Sequence, residues 1–134
     1  MLALTVSPLK TWEDFIPYGK RKFLRAKTII FRQGEIEPGF YYVKKGIVKI
    51  FTMKPDINKR ILDVAGPGML IGEHTMDQLP CFSTAISHED SILYHFTKMD
   101  YEELSRKHPE ITLLFAQSLI HKKKLLLNNS TFAE

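Results

Sequence analysis

The side chains best suited to chemistry in this sequence lie together in one segment of the chain. Glu73 and His74 follow a glycine directly, and Cys81, Ser83 and Thr84 come shortly afterwards. An acid, an imidazole and hydroxyls can exchange hydrogen bonds with a small ligand, whereas catalysis needs an activated nucleophile or a paired acid and base. The sequence has no Gly-x-Ser-x-Gly, no Gly-Lys-Ser/Thr phosphate loop and no pair of carboxylates on one clear face. We therefore predict a binding protein and not an enzyme.

No metal ion and no cofactor is expected. The single cysteine, Cys81, excludes a disulfide within the chain and a four-thiolate iron–sulfur cluster. A lone buried cysteine is more often an inert small apolar residue than a redox switch or a metal ligand. His74 leaves haem open as an alternative, because haem needs an axial ligand beside a large apolar pocket. The simpler interpretation of His74 is a surface residue at the start of a short helix.

Length and composition indicate one ordinary globular domain. The chain has 134 residues, of which 44% are hydrophobic and 25% are charged. It has no apolar run of about 18 residues and no signal-peptide pattern, so we expect a cytoplasmic protein without a membrane anchor. The net charge of +4 is modest, and the basic run at 122–124 is interpreted as the solvated face of a helix.

The elements that position the candidate residues are mainly strands. Short apolar runs alternate with glycine and proline, which predicts a β-sandwich or barrel. A short helix is predicted near 11–16, with Thr11 or Ser7 as its cap. The predicted strands span 27–31, 40–44, 47–53, 60–64, 69–71, 83–87 and 92–96.

Helical periodicity begins at Thr97. Thr97 and Asp100 have the spacing of a capping box, which predicts a helix over 98–107. Pro109 suits the first turn of a second helix, which nothing interrupts until about residue 129.

The long helix is apolar on more than one side. A helix that packs only on its own barrel needs one apolar stripe, so the extra width predicts a two-fold homodimer. The alternative is a helix buried within a single domain. The predicted dimer interface consists of Ile111, Leu114, Phe115, Ser118, His121 and Leu125.

Two stretches resemble the phosphate-binding cassette of the cyclic-nucleotide-binding family, and the glycines and strands at 34–50 are similar to the hairpin region of its CRP/FNR branch. The resemblance covers about residues 20–128. It implies a mainly β fold with helices, a double-stranded β-helix or jelly-roll barrel followed by a long C-terminal dimerisation helix. The cassette residues are Gly66-Pro67-Gly68-Met69-Leu70-Ile71-Gly72-Glu73-His74 and Cys81-Phe82-Ser83-Thr84-Ala85.

The resemblance also implies a domain organisation. Residues 1–108 are expected to form the effector-sensing barrel with flanking short helices, and residues 109–134 the dimerisation helix and the start of a hinge. In this family a helix-turn-helix domain follows the hinge, so we expect DNA to be contacted only through a domain that lies outside this chain.

The cassette departs from the family pattern at the residue that matters most for charge. In the family an arginine binds the cyclic phosphate and the cassette glutamate accepts a hydrogen bond from the ribose. The arginine position falls on Ser83, and no lysine or arginine lies between Glu73 and Ser91. Burying a phosphate without its counter-charge is costly, so we predict that the chain does not bind cyclic AMP or cyclic GMP.

The long helix departs from the pattern as well. The positions at which CRP-like members offer a Thr-Ser pair to the purine fall on two leucines. An apolar pocket with a few hydroxyls suits a small, flat aromatic acid or phenol, and the cassette is similar to that of the regulators that sense halogenated phenols in organohalide respiration. The predicted ligand contacts are Leu62, Val64, Leu70, Ile71, Gly72, Glu73, Phe82, Ser83, Thr84, Leu126 and Leu127.

Together these patterns predict the effector-binding and dimerisation domain of a bacterial CRP/FNR-type transcription regulator. Three alternatives stay open: a cyclic-nucleotide module with a non-standard phosphate site, a haem-based gas sensor, and a dimerisation module without a ligand.

Overall fold

The structure is a computed structural model that describes residues 10–55 and 57–132. Two four-stranded antiparallel sheets face each other, with strand orders β1-β8-β3-β6 and β2-β7-β4-β5. This arrangement confirms the predicted mainly β jelly-roll fold with helices. The strands are β1 Lys20–Leu24, β2 Ile29–Phe31, β3 Phe40–Lys45, β4 Val48–Lys54, β5 Ile57–Ala65, β6 Leu70–Ile71, β7 Thr84–Ser87 and β8 Ser91–Phe96.

The strand that the sequence pattern missed is β1. Its first three residues, Lys20, Arg21 and Lys22, are charged, so it lacks the apolar run that predicts a strand. β1 lies at the edge of its sheet and pairs with β8. Charged side chains suit an edge strand because they discourage pairing with other chains.

The helices lie close to their predicted positions. A 3-10 helix spans Trp12–Tyr18, with Thr11 as its N-cap residue. Helix α1 spans Lys98–Lys107, and the predicted capping box closes its first turn. The Asp100 amide donates to the Thr97 hydroxyl over 3.1 Å, and the Thr97 amide donates to the Asp100 carboxylate over 2.9 Å. Helix α2 spans Ile111–Phe132.

Two apolar clusters hold these elements together. The first fills the space between the two sheets. The second joins the barrel to the 3-10 helix, α1 and α2, and it is rich in aromatic rings. Phe40 stacks on Phe96 with ring centroids 5.2 Å apart, and the Trp12 ring packs edge-on against both.

The stripe of α2 that was predicted as the dimer interface packs mainly on the chain's own barrel. Ile111 is fully buried, and Leu114 and Phe115 pack against the aromatic cluster. Ile111 is therefore not available to a partner, because the barrel itself needs this part of the helix, and the interface predicted at the other residues stays a prediction. The face of α2 that points away from the barrel carries Leu113, Ile120 and Leu127, which are 62%, 55% and 58% exposed.

Gly39 is required where β3 begins. Its φ is +132°, and a Cβ atom there would lie 2.1 Å from the backbone oxygen of Phe96. We expect Gly39→Ala to lower the free energy of unfolding by about 2 kcal/mol, through backbone strain and overpacking. Gly34→Ala is the matched control, because Gly34 also has a positive φ but its Cβ would meet nothing within 4 Å. Urea denaturation of both variants tests this, and equal losses would contradict the role of the Phe96 contact.

Candidate functional site

A cavity of about 220 Å³ lies between the barrel, the segment after β6, and α2. Its apolar wall consists of Phe31, Ile50, Leu62, Phe82 and Leu119. Its polar lining consists of Asp63, Glu73, His74, Ser83, Lys122 and Lys123, and Gly72 completes it.

The cavity brings together part of the predicted ligand contacts. These are Leu62, Gly72, Glu73, Phe82 and Ser83, which come from β5 and from both halves of the cassette. Ser83 is almost fully buried, whereas Phe82 is 49% exposed at the edge of the cavity.

The other predicted contacts whose side chains the structure describes lie elsewhere. Leu70 is buried in the aromatic cluster and Ile71 in the cluster between the sheets. The Thr84 hydroxyl accepts a hydrogen bond from the backbone N–H of Gln33 over 2.9 Å. Val64, 48% exposed, and Leu127 are surface residues. The side chain of Leu126, like that of Leu125 in the predicted dimer interface, falls outside the described residues.

Gly72 turns the chain so that the next residue enters the interior. It has φ +80°, and the 3-10 helix Glu73–Asp77 follows directly. A Cβ at Gly72 would lie 3.1 Å from the Phe31 ring, so glycine also permits a close approach of the two segments. As a result Glu73 is 3% exposed, which is unusual for a carboxylate.

Helix α2 supplies the partners of this buried acid. The Lys122 ammonium lies 2.5 Å from one Glu73 carboxylate oxygen, and the Ser118 hydroxyl donates to the other. Lys122 also donates to the backbone carbonyl of Leu70. Charge-assisted hydrogen bonds of this kind are about twice as strong as neutral ones. They attach α2 directly to the cassette.

This contact corrects two expectations from the sequence. The Lys122 side chain is only 21% exposed, so the basic run is not simply a solvated face. The site also contains positive charge, because Lys122 and Lys123 both line the cavity. In the family the cation lies within the cassette, whereas here it comes from α2. Ser118 and Lys122 stand four residues apart and so share one helix face, which is the signal that was available in the sequence.

His74 faces the cavity, and its interpretation as a surface residue was wrong. Its ring centroid lies 4.6 Å from that of Phe82 and 5.5 Å from that of Phe31. Burial lowers the pKa of His74 below its ordinary value, so the imidazole is neutral at pH 7. Its Nε2 atom is buried and finds no hydrogen-bond partner within the described ranges.

Asp63 also reaches the cavity, and a β-bulge brings its neighbour Leu62 to the same side. In the register of β4 with β5, Ile50 pairs with Asp63 but Phe51 pairs with Ile61, which leaves Leu62 as the extra residue. Leu62 and Asp63 therefore both line the cavity although they are consecutive. Alternation along a regular strand would send one of them outward, so the sequence did not indicate this pair.

Metal and haem binding find little support in the geometry. Within the described residues, no group of three histidines, cysteines or acids is placed to hold a metal ion. Cys81 is buried, and burial raises the pKa of its thiol, which disfavours a reactive thiolate. The cavity of about 220 Å³ is smaller than the roughly 300 to 1,000 Å³ typical of pockets for drug-sized ligands, and haem needs still more room.

Comparison with known proteins identifies a family and relatives that this chain resembles. Residues 21–108 match the family model of the cyclic nucleotide-binding domain. The cyclic AMP receptor protein of Thermus thermophilus is 30% identical over 95 residues, which are 70% of this chain and 44% of that protein. The chain thus spans less than half the length of the curated relatives it matches.

Solved structures give the same fold. The crystal structure of the Thermus thermophilus catabolite activator protein superposes with a TM-score of 0.75 at 26% identity, covering 96% of this chain and 59% of that one. A structure of oxidised CprK in complex with o-chlorophenolacetic acid superposes with a TM-score of 0.78 at 15% identity, covering 94% of this chain and 53% of that one. At this identity the second likeness concerns the fold alone.

Neither α1 nor α2, the α-helices of the described segments, has the length and apolar character needed to cross a membrane.

Proposed function

Because the chain belongs to the cyclic nucleotide-binding domain family, we propose that it is the effector-binding and dimerising part of a CRP/FNR-type transcription regulator. We further propose that its cavity binds a small aromatic molecule with a phenolic or weakly acidic group. A role in DNA binding would then be exercised through a domain outside this chain.

The observation that carries the choice of ligand is the state of Glu73. In the family this residue is the ribose contact, but here its carboxylate oxygens accept from Lys122 and Ser118. A ribose hydroxyl would have to displace one of these charge-assisted bonds. The arginine position is the buried Ser83, so the two main contacts of a cyclic nucleotide are both altered.

The size and lining of the cavity support an aromatic ligand. Phe31 and Phe82 offer flat aromatic surface and Leu62 adds apolar surface, while His74 and Ser83 offer polar contacts. A pocket of mostly apolar side chains with a few convergent polar groups is the usual form of a small-molecule site. CprK, a protein that contains this fold, has been solved in complex with o-chlorophenolacetic acid, which supports a ligand of that class.

A cyclic nucleotide remains the second candidate, and one observation favours it. Lys122 and Lys123 line the cavity, so a phosphate there would meet positive charge. Binding through these lysines would weaken as salt concentration rises, because Lys123 is exposed and its charge is screened.

Calorimetric titration of the chain distinguishes the two candidates. We expect measurable binding of 2-chlorophenol or o-chlorophenolacetic acid and no heat with cyclic AMP. Ser83→Arg should weaken aromatic binding by at least about tenfold because the new side chain fills the cavity, whereas Ser83→Ala should change it little. Tight cyclic AMP binding that falls with salt would overturn the aromatic proposal and support the second candidate.

The proposed route from ligand to regulator runs through α2. Leu119, Lys122 and Lys123 of this helix line the cavity, so a bound molecule contacts α2 as well as the barrel. A ligand that binds one position of α2 more tightly than another shifts the population toward that position. Such a shift would be passed to any domain that follows the helix.

The outward face of α2 is the proposed interface with a second copy of the chain. Leu113, Ile120 and Leu127 are exposed and recur every seven residues. This spacing is typical of a helix that pairs with another in a coiled coil. It replaces the predicted interface around Ile111, which the barrel occupies.

A further inference from the structure

We propose that Asp63 is a specificity-determining residue whose carboxylate accepts a hydrogen bond from a hydroxyl on the bound molecule. The cavity would therefore select hydroxylated aromatic molecules over analogues of the same shape without that donor. This inference rests on the proposed function and names the ligand class more narrowly.

The strand pairing places Asp63 on the inner side of β5, because its partner in β4 is the buried Ile50. A bulge between β4 and β5 makes Leu62 the extra residue of β5 and brings it to the same side as Asp63. Val64, the next residue, returns to the surface. Bulges recur beside binding sites because they re-aim a side chain.

One carboxylate oxygen of Asp63 accepts no hydrogen bond from the described residues of the barrel. Oδ1 accepts a hydrogen bond from the Val64 amide over 2.8 Å, but Oδ2 is buried and has no partner among the residues described. A buried acceptor without a donor is unfavourable, and native proteins keep few of them. Such an atom at the wall of a cavity indicates that the donor arrives with the ligand.

The described cations near the cavity form no ion pair with Asp63. Lys122 is held by Glu73 and the Leu70 carbonyl. In the described parts of the chain, no ion pair within 4.0 Å includes Asp63. His74, on the same cavity, is neutral and its Nε2 is likewise without a partner. A hydroxyl both donates and accepts, so it is the simplest group that can serve a carboxylate and an imidazole.

The test compares two probes that differ in the donor alone. The full chain is titrated at pH 7 with 2-chlorophenol and with 2-chlorotoluene, in which a methyl group replaces the hydroxyl. We expect the wild type to bind 2-chlorophenol at least about tenfold more tightly. Asp63→Leu should bring the two affinities within about twofold, because the acceptor is gone. Glu102→Leu, on the exposed surface of α1, should keep the wild-type ratio.

Thermal unfolding without any probe gives an independent readout. Asp63→Leu should unfold at the same temperature as the wild type or higher, because it removes a carboxylate oxygen that is buried and has no partner among the described residues. A fall of more than about 5 °C would show that Asp63 is structural and would overturn the inference. Should Asp63→Leu fail to fold, Asp63→Asn takes its place, since it keeps the shape and the bond to the Val64 amide. It presents fewer acceptor sites and should therefore lower the preference for 2-chlorophenol.

The titrations distinguish a failure of the Asp63 inference from a failure of the proposed aromatic ligand. Equal binding of both probes by the wild type would overturn the role of Asp63 but leave an aromatic cavity. Binding of neither probe, nor of o-chlorophenolacetic acid, would overturn the proposed function and this inference with it.

Discussion

Lys122→Met is expected to lower the free energy of unfolding by about 3 kcal/mol. The Glu73 side chain is 1% exposed, and the variant removes the ammonium that lies 2.5 Å from its carboxylate. The remaining Ser118 bond cannot neutralise the charge, so the variant leaves a buried carboxylate without its counter-charge, which is costly. This loss of unfolding free energy lies at the lower end of the range for breaking a buried ion pair, because the Lys122 side chain is still 21% exposed.

Urea denaturation followed by the fluorescence of Trp12, the single tryptophan, measures this loss. Lys124→Met is the matched control, since Lys124 is exposed on the same helix and should cost under about 0.5 kcal/mol. Glu73→Gln/Lys122→Met should recover part of the loss, because the double variant no longer buries an unpaired charge. If Lys122→Met matches the control, the ion pair does not attach α2 to the cassette.

This pair also bears on how a ligand would act. Glu73 begins the segment after β6, and Ser118 and Lys122 belong to α2, so the pair joins the two walls of the cavity. An acidic group on a ligand would compete with Glu73 for Lys122. The position of α2 and the occupancy of the cavity are thereby linked through one carboxylate.

The fold was largely predictable because local rules agree with the tertiary structure. The capping box at Thr97 fixed the start of α1, and glycines between apolar runs separated the strands. Strand β1 was not predicted, because an edge strand that begins with lysine and arginine does not need the apolar pattern on which strand prediction depends. Sequence patterns therefore predict elements whose apolar residues must be buried. They miss elements that lie in solvent, where no apolar pattern is required.

The site was less predictable, for two physical reasons. Periodicity shows which residues of a helix share a face but not which face the barrel takes, so Ile111 and Lys122 were both misassigned. A bulge reverses the alternation of a strand without a mark in the sequence, so Asp63 was missed while its neighbour Leu62 was found. Both errors concern the placement of a side chain relative to a neighbouring element, which only the assembled structure fixes.

Ile120→Glu is expected to weaken self-association of the chain at least about a hundredfold, or roughly 2.7 kcal/mol. In a two-fold pairing through the outward face of α2, Ile120 meets the same stripe of the partner copy, and the variant introduces two like charges there. Because Ile120 is 55% exposed in the single chain, its free energy of unfolding should change by less than about 0.5 kcal/mol when measured at concentrations where the protein is monomeric.

Sedimentation over a range of concentrations compares this variant with His121→Glu. His121 is also exposed, but it belonged to the interface predicted from sequence and lies about 100° around the helix from Ile120. A larger effect at Ile120 identifies the face with Leu113 and Leu127 as the interface, whereas a larger effect at His121 restores the sequence prediction on that side. A wild type that stays monomeric at high concentration would contradict both, and α2 would then have to carry a signal from the cavity within a single chain.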